Sequence, residues 1–183
     1  MTDMFLERNF DQALSPADIL QLVGEAGDCF GIHRVVWRES LLSSDCHRMF
    51  CWFSAADMES ARIAMRQIGT DTTVFWRGSV HTAPGVVEED IASANVLVER
   101  SFEKAVALQD IQDLEDAGIG CLETRNVRFI RTYFSADQTR MICLYAAPDA
   151  ESVRQAQREA GVPFVDAWTF QAIRPDGSES VNI

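Results

Sequence analysis

Lysine is almost missing from this chain. Lys104 stands alone against fifteen arginines in 183 residues. Chemistry that needs a lysine amine would rest on that one residue, and its setting, SFEKAV, reads as a loop. No run of eighteen apolar residues exists, so no segment is expected to cross a membrane as a helix. The opening MTDMFLERNF carries acidic residues where an export signal needs a basic start and an apolar stretch; a cytoplasmic protein with no membrane partner is expected. Basic charge is also short, with 28 acids against 16 bases and a net charge of -12. Such a surface repels phosphate backbones, which argues against nucleic-acid partners. The five cysteines are odd in number and form no CxxC pair, so they read as reduced thiols. P-loop, GxGxxG, HExxH and nucleophile-elbow patterns are all missing. What is present is an ordinary globular composition, 47% hydrophobic and 24% charged.

The chain is one pattern written twice. Shifted by 92 positions, it matches itself without a gap at 23 of the 74 positions from 4 to 77. Glu7 falls on Glu99, Arg8 on Arg100, Cys51 on Cys143, Asp57 on Asp149 and Trp76 on Trp168. The boundaries expected from this are a first unit at 1–82, a linker at 83–93 rich in Pro, Gly and acids, a second unit at 94–176 and a C-terminal tail at 177–183.

Each unit reads β-α-β-β-α-β. Ser15-Pro16-Ala17-Asp18 is a helix start, followed by Ile19, Leu22, Val23, Ala26 and Phe30 at helical spacing. Gly31 is expected to end that helix, and 33–42 to form a strand. Asp57 caps a second helix whose face is Ala61, Ala64, Met65 and Ile68. The second unit repeats this, with a first helix weakened by Gly118 and Gly120. The order is that of the ferredoxin-like split βαβ. Helices cover one sheet face of such a unit, and the cheapest cover for the other is the second copy. The expected fold is therefore α+β: two tandem ferredoxin-like βαββαβ units forming a pseudo-twofold α+β barrel.

Strand alternation proposes a site. Met4 and Leu6, with Val96 and Val98, are placed toward the helices, so Glu7 and Glu99 turn away. The bulky Phe50 and Trp52, with Ile142 and Leu144, are also placed toward the helices, which leaves Cys51, Cys143 and Tyr145 on the opposite face. Glu7 and Cys51 would then share a face, as would Glu99 and Cys143, inside the barrel. Carboxylates with thiolates or imidazoles suit zinc or nickel. His33, His47 and Cys46 are candidate metal ligands, although all three histidines lie in the first half. The plainer reading has the glutamates held by Arg48 and Arg140 and the cysteines acting as small buried hydrophobes.

The segments LVER at 97–100 and FIRTYFSADQTRMICLYAAPDAESVRQAQREAGVP at 129–163, with FLER and MFCWFSAADMESAR in the first half, resemble the domain of unknown function 4242 family. Cys143, Tyr145, Ala147, Pro148, Asp149, Glu151, Val153 and Arg154 carry the resemblance, while Phe53, Ala56 and Ala61 depart from it. The resemblance implies a dimeric ferredoxin-like architecture and, through a relative described as nickel-binding, a metal. The expected function is a binding protein for a divalent metal, of nickel or zinc type, or for a small ligand held between the two units. The alternative is a cofactor-independent enzyme acting on a small organic substrate in the barrel, with Glu7 or Glu99 as general base and Tyr145 or a cysteine as helper. A purely structural partner with a filled barrel is the third reading. The edge strands leave room for a homodimer.

Overall fold

The computed structural model describes residues 1–176; the tail expected at 177–183 lies outside the described residues. The chain divides into two compact units, Met1–Gly78 with the segment from Gln171, and Ser79–Phe170. The fold is α+β, with eight strands and six helices among the described residues. None of those helices is long and apolar enough to cross a membrane.

The first unit contains β1 (Thr2–Asn9), α1 (Pro16–His33), β2 (Val36–Ser43), β3 (Arg48–Ala55), α2 (Met58–Gln67) and β4 (Val74–Thr82), whose last residues are counted with the second unit. β1 is central, with β4 and β3 antiparallel at its sides, and β2 lies antiparallel to β3. This 4-1-3-2 order is that of the split βαβ. Helix α1 starts where the sequence says it should. The Ser15 hydroxyl accepts from the Asp18 N–H, and the Asp18 carboxylate accepts from the Ser15 N–H at 2.7 Å, a reciprocal cap. Its end differs from expectation. The helix runs through Gly31 to His33 and closes on Arg34 in the left-handed region, φ 53°. A mid-helix glycine costs only about 1 kcal/mol, less than the burial of Ile19, Ala26 and Phe30 on the same helix returns.

The second unit adds a short α3 (Glu88–Ala92), then β5 (Val96–Ser101), α4 (Leu108–Ala117), α5 (Ile119–Glu123), β6 (Arg128–Ser135), β7 (Arg140–Ala146), α6 (Ala150–Ala160) and β8 (Asp166–Ile173). β5 is flanked antiparallel by β8 and β7, and β6 lies on β7, the same 4-1-3-2 order. The segment read as a linker thus contains a helical turn, tied down by an ion pair between Asp90 and Arg128. The helix weakened by glycines breaks at Gly118 into α4 and α5. A Cβ at Gly118 would lie 2.4 Å from the Ala160 Cβ on α6, so the break lets the chain approach α6 where no side chain fits.

One face assignment is corrected. Leu6 lies opposite Cys51 and Met4 opposite Phe53, while Glu7 lies opposite Phe50 and Phe5 opposite Trp52. Directly paired residues share a face. Cys51 and Phe53 therefore sit with Met4 and Leu6 in the core beneath α1 and α2, and Phe50 sits with Phe5 and Trp76 on the other face. The second unit agrees: Val98 opposes Cys143 and Glu99 opposes Ile142. Bulk misled the sequence reading, because β1 is buried on both faces: Phe5 is as inaccessible as Met4. Each unit also carries a β-bulge at the same place, between Trp37 and Glu39 and between Phe129 and Arg131. It re-aims the strand, so that Ser40 and Thr132 fall opposite Cys51 and Cys143.

Candidate functional site

Glu7 and Glu99 occupy matching positions with matching partners. The Trp76 indole N–H donates to Glu7 Oε1 at 2.7 Å, and the Trp168 indole N–H donates to Glu99 Oε1 at 2.6 Å. This gives a physical reason why both residue types recur together at an offset of 92 positions. Neither glutamate shares a face with a cysteine. Cys51 contacts Ser40 at 3.0 Å and Cys143 contacts Thr132 at 3.3 Å. Both thiols are buried, and burial holds them protonated: Cys51 is pushed up to about 11, and Cys143 is raised against the pull of the Arg100 charge. Held protonated and paired with a hydroxyl, neither thiol is poised as a nucleophile.

The first-half candidates stay apart. Cys46 and His47 form the tight turn between β2 and β3, with Cys46 at φ 63°, and His47 Nδ1 lies 2.8 Å from the Phe10 carbonyl. His33, on the longer α1, lies 3.0 Å from Gln67 Oε1, which also accepts from Cys29. Among the described residues, no three His, Cys, Asp or Glu side chains converge as a metal cage would require.

The chemically unusual place is the helix-side core of the second unit. Arg100, 2% exposed, follows Glu99 on β5 and so points the opposite way. Its Nη2 donates to Glu115 of α4 at 2.8 Å, to Gln157 of α6 at 3.0 Å and to the Tyr145 hydroxyl at 3.1 Å. Its Nη1 donates to the Pro163 carbonyl. The Tyr145 hydroxyl itself donates to Glu115 Oε1. Burial, reinforced by the Glu115 charge, lifts Tyr145 well above the ordinary phenol value. The phenol stays protonated and serves as a fixed donor. Burial desolvates Arg100 as well, yet the guanidinium is raised rather than lowered, and at neutral pH the charge that compensates it is the Glu115 carboxylate 2.8 Å away. The cluster is a buried ion pair with added hydrogen bonds, the form in which burial of charge is tolerated.

Tyr145 was named from the sequence; Arg100, Glu115 and Gln157 were missed. A signal was available. Glu115 and Gln157 occupy the apolar stripes of their helices, and their counterparts 92 positions earlier are Val23 and Met65.

Glu115 also opens onto a cavity of about 380 Å³ within the second unit, in the size range of small-molecule sites. The walls come from α4, α5, the 83–84 segment and the start of β6, with Leu122, Val127 and Phe129 as apolar surface, Asp116 and Glu123 as further acids, and Arg128, paired with Asp90, as a cation. The bonds from Arg100 and Tyr145 both fall on Glu115 Oε1 and leave Oε2 unengaged by either. The α4–α5 break at Gly118 shapes this space, since both helices line it.

A family model described as nickel-responsive protein SCO4226-like matches residues 97–167. No curated protein matches the chain. Among solved structures, the chain is similar to a candidate chlorite dismutase, at 12% identity and a TM-score of 0.50, with 92% of this chain and 93% of that one covered. It is also similar to an anthrone oxidase-like protein, at 11% identity and a TM-score of 0.44, with 99% of this chain and 94% of that one covered. A third is a candidate monooxygenase from Lactobacillus acidophilus, at 9% identity and a TM-score of 0.41, with 99% and 95% covered. At 12% identity, the first likeness speaks for the fold alone. The family description brings nickel into view, and the residues do not fit it. The matched segment contains no histidine, no three His, Cys, Asp or Glu side chains converge among the described residues, and the buried cation position beside Glu115 is filled by Arg100.

Proposed function

We propose that this protein binds a small organic ligand in the cavity of its second unit, with Glu115 as the polar anchor. The supporting observation is the cavity of about 380 Å³ that ends on a carboxylate held in place by a buried arginine and a protonated tyrosine. Such anchoring fixes the carboxylate before any ligand arrives, so little ordering entropy is left to be lost on binding. Three acids, Glu115, Asp116 and Glu123, face this space against one arginine, Arg128, whose charge is paired with Asp90, and that balance favours a ligand with a donor head, an amine or hydroxyl, on an apolar body. The small-ligand half of the sequence expectation is thereby favoured over the metal half. The two units are read as copies of one ancestral unit in a cytoplasmic protein, with the polar cluster belonging to the second copy only. The enzyme alternative with Glu7 or Glu99 as base is less favoured, because each is bonded to an indole.

A ligand-observed NMR screen of small amines and hydroxylated aromatics tests this on tag-free protein. Binding lost in Ile119→Trp, which fills the cavity from an exposed wall position, supports the proposal. Fragments unaffected by that variant, or stoichiometric nickel or zinc binding by calorimetry, overturn it. Turnover of a bound compound would shift the reading to the enzyme alternative.

A further inference from the structure

The two units treat one arginine differently. Position 100 is closed in by Glu115, Tyr145 and Gln157, and the matching positions around Arg8 are Val23, Phe53 and Met65. Three polar partners become three apolar side chains. Arg8 accordingly lies half-buried with its guanidinium 4.8 Å from the Phe10 ring. It enters no side-chain hydrogen bond or ion pair among the described residues. Asp71 feels its charge only weakly, and that carboxylate is engaged by Thr73. Two neighbouring cavities within the first unit both reach Arg8: one of about 50 Å³ and apolar, and one of about 350 Å³ lined also by Glu25, Gln67 and Gly69. They share Leu22, Ala26, Ile68 and Thr70 as walls.

We infer that the first unit carries a binding site for a small monocarboxylic acid with an apolar body, its carboxylate on Arg8 and its body between α1 and α2. The second unit supplies the template, because there a carboxylate from α4 already sits on the equivalent arginine. Losing that internal carboxylate at Val23 leaves the cation and an apolar space beside it. A guanidinium binds a carboxylate with two parallel hydrogen bonds. Thr70, lining both cavities, adds a hydroxyl. Exposed Glu25, held by Gln21, stands at the larger cavity and disfavours a second negative charge on the ligand. This site is separate from the cavity of the second unit and does not depend on it.

The test is a titration of the whole protein with sodium hexanoate, followed by amide chemical shifts, with 1-hexanol and hexylamine as controls. Hexanoate should shift Leu22, Ala26, Gly69 and Thr70 saturably, and the controls should not. Arg8→Gln should weaken binding roughly 10- to 100-fold. Val23→Glu should abolish it by placing the carboxylate of the second unit in the first. Spectral dispersion checks that both variants remain folded. Ile119→Trp should leave hexanoate binding unchanged, which separates this site from the proposed function. No saturable shift, equal shifts from hexanol, or binding retained in both Arg8→Gln and Val23→Glu would overturn the inference.

Discussion

Glu115→Val would place at 115 the residue that position 23 already carries, yet the outcome should differ from harmless. Arg100 is sealed in the core with its charge matched by that carboxylate. Removing one partner of a buried pair leaves the other uncompensated, at about 3–5 kcal/mol. Urea denaturation should show that loss, and Arg100→Met added to Glu115→Val should recover much of it, since the orphaned charge is then gone. A loss confined to the single variant identifies the pair as a matched charge site; equal losses in both would mean that packing dominates. Tyr145→Phe should cost less, about 1.5–3 kcal/mol, because it removes a hydrogen bond to a carboxylate that arginine still holds. A reader of sequence alone sees a glutamate on a helix and assigns it to solvent; only the position of β5 under α4 makes it a core residue.

Helix ends set the acid behaviour of these units. Asp57 and Asp149 cap α2 and α6 by accepting from the Ser60 and Ser152 N–H groups at 2.8 and 2.6 Å. Those backbone bonds hold both carboxyls below the ordinary 3.8, and Asp18 is lowered by its bond from the Ser15 hydroxyl. A carboxyl lowered in the folded state contributes stability above its unfolded value and loses it as pH falls through the folded value. The urea midpoint should therefore hold from pH 7 to about pH 4 and decline below. Asp57→Asn with Asp149→Asn keeps the capping oxygen without the charge change, so the decline should be shallower. An unchanged acid profile in the double variant would assign the effect to other carboxyls. These caps were legible in the sequence, because a cap needs only local chain geometry. The break at Gly118 was legible only as a weakness, since its cause is the methyl of Ala160 on another helix.

For the molecule as a whole, the cysteines give a countable readout. Cys51 and Cys143 are buried, and Cys29, Cys46 and Cys121 are half-buried, all five free. A disulfide reagent at pH 8 should titrate no more than three thiols in native protein and all five in denaturant. Early reaction of Cys51 or Cys143 would contradict their place beneath the helices. The sequence by itself determined the self-match at 92 positions, the βαββαβ order, the helix starts and the matched Glu and Trp positions, since each follows from local periodicity or from self-comparison. It placed Tyr145 at an interesting position but paired the glutamates with the wrong neighbours. Alternation along one strand gives two faces without saying which is which, and where β1 is buried on both sides, hydrophobic bulk cannot break the tie. Strand register decided it, by pairing Leu6 with Cys51 and Val98 with Cys143. Tertiary structure alone gathered Arg100, Glu115, Tyr145 and Gln157, because their contacts span 12 to 57 positions along the chain, and no local pattern encodes a meeting of that range.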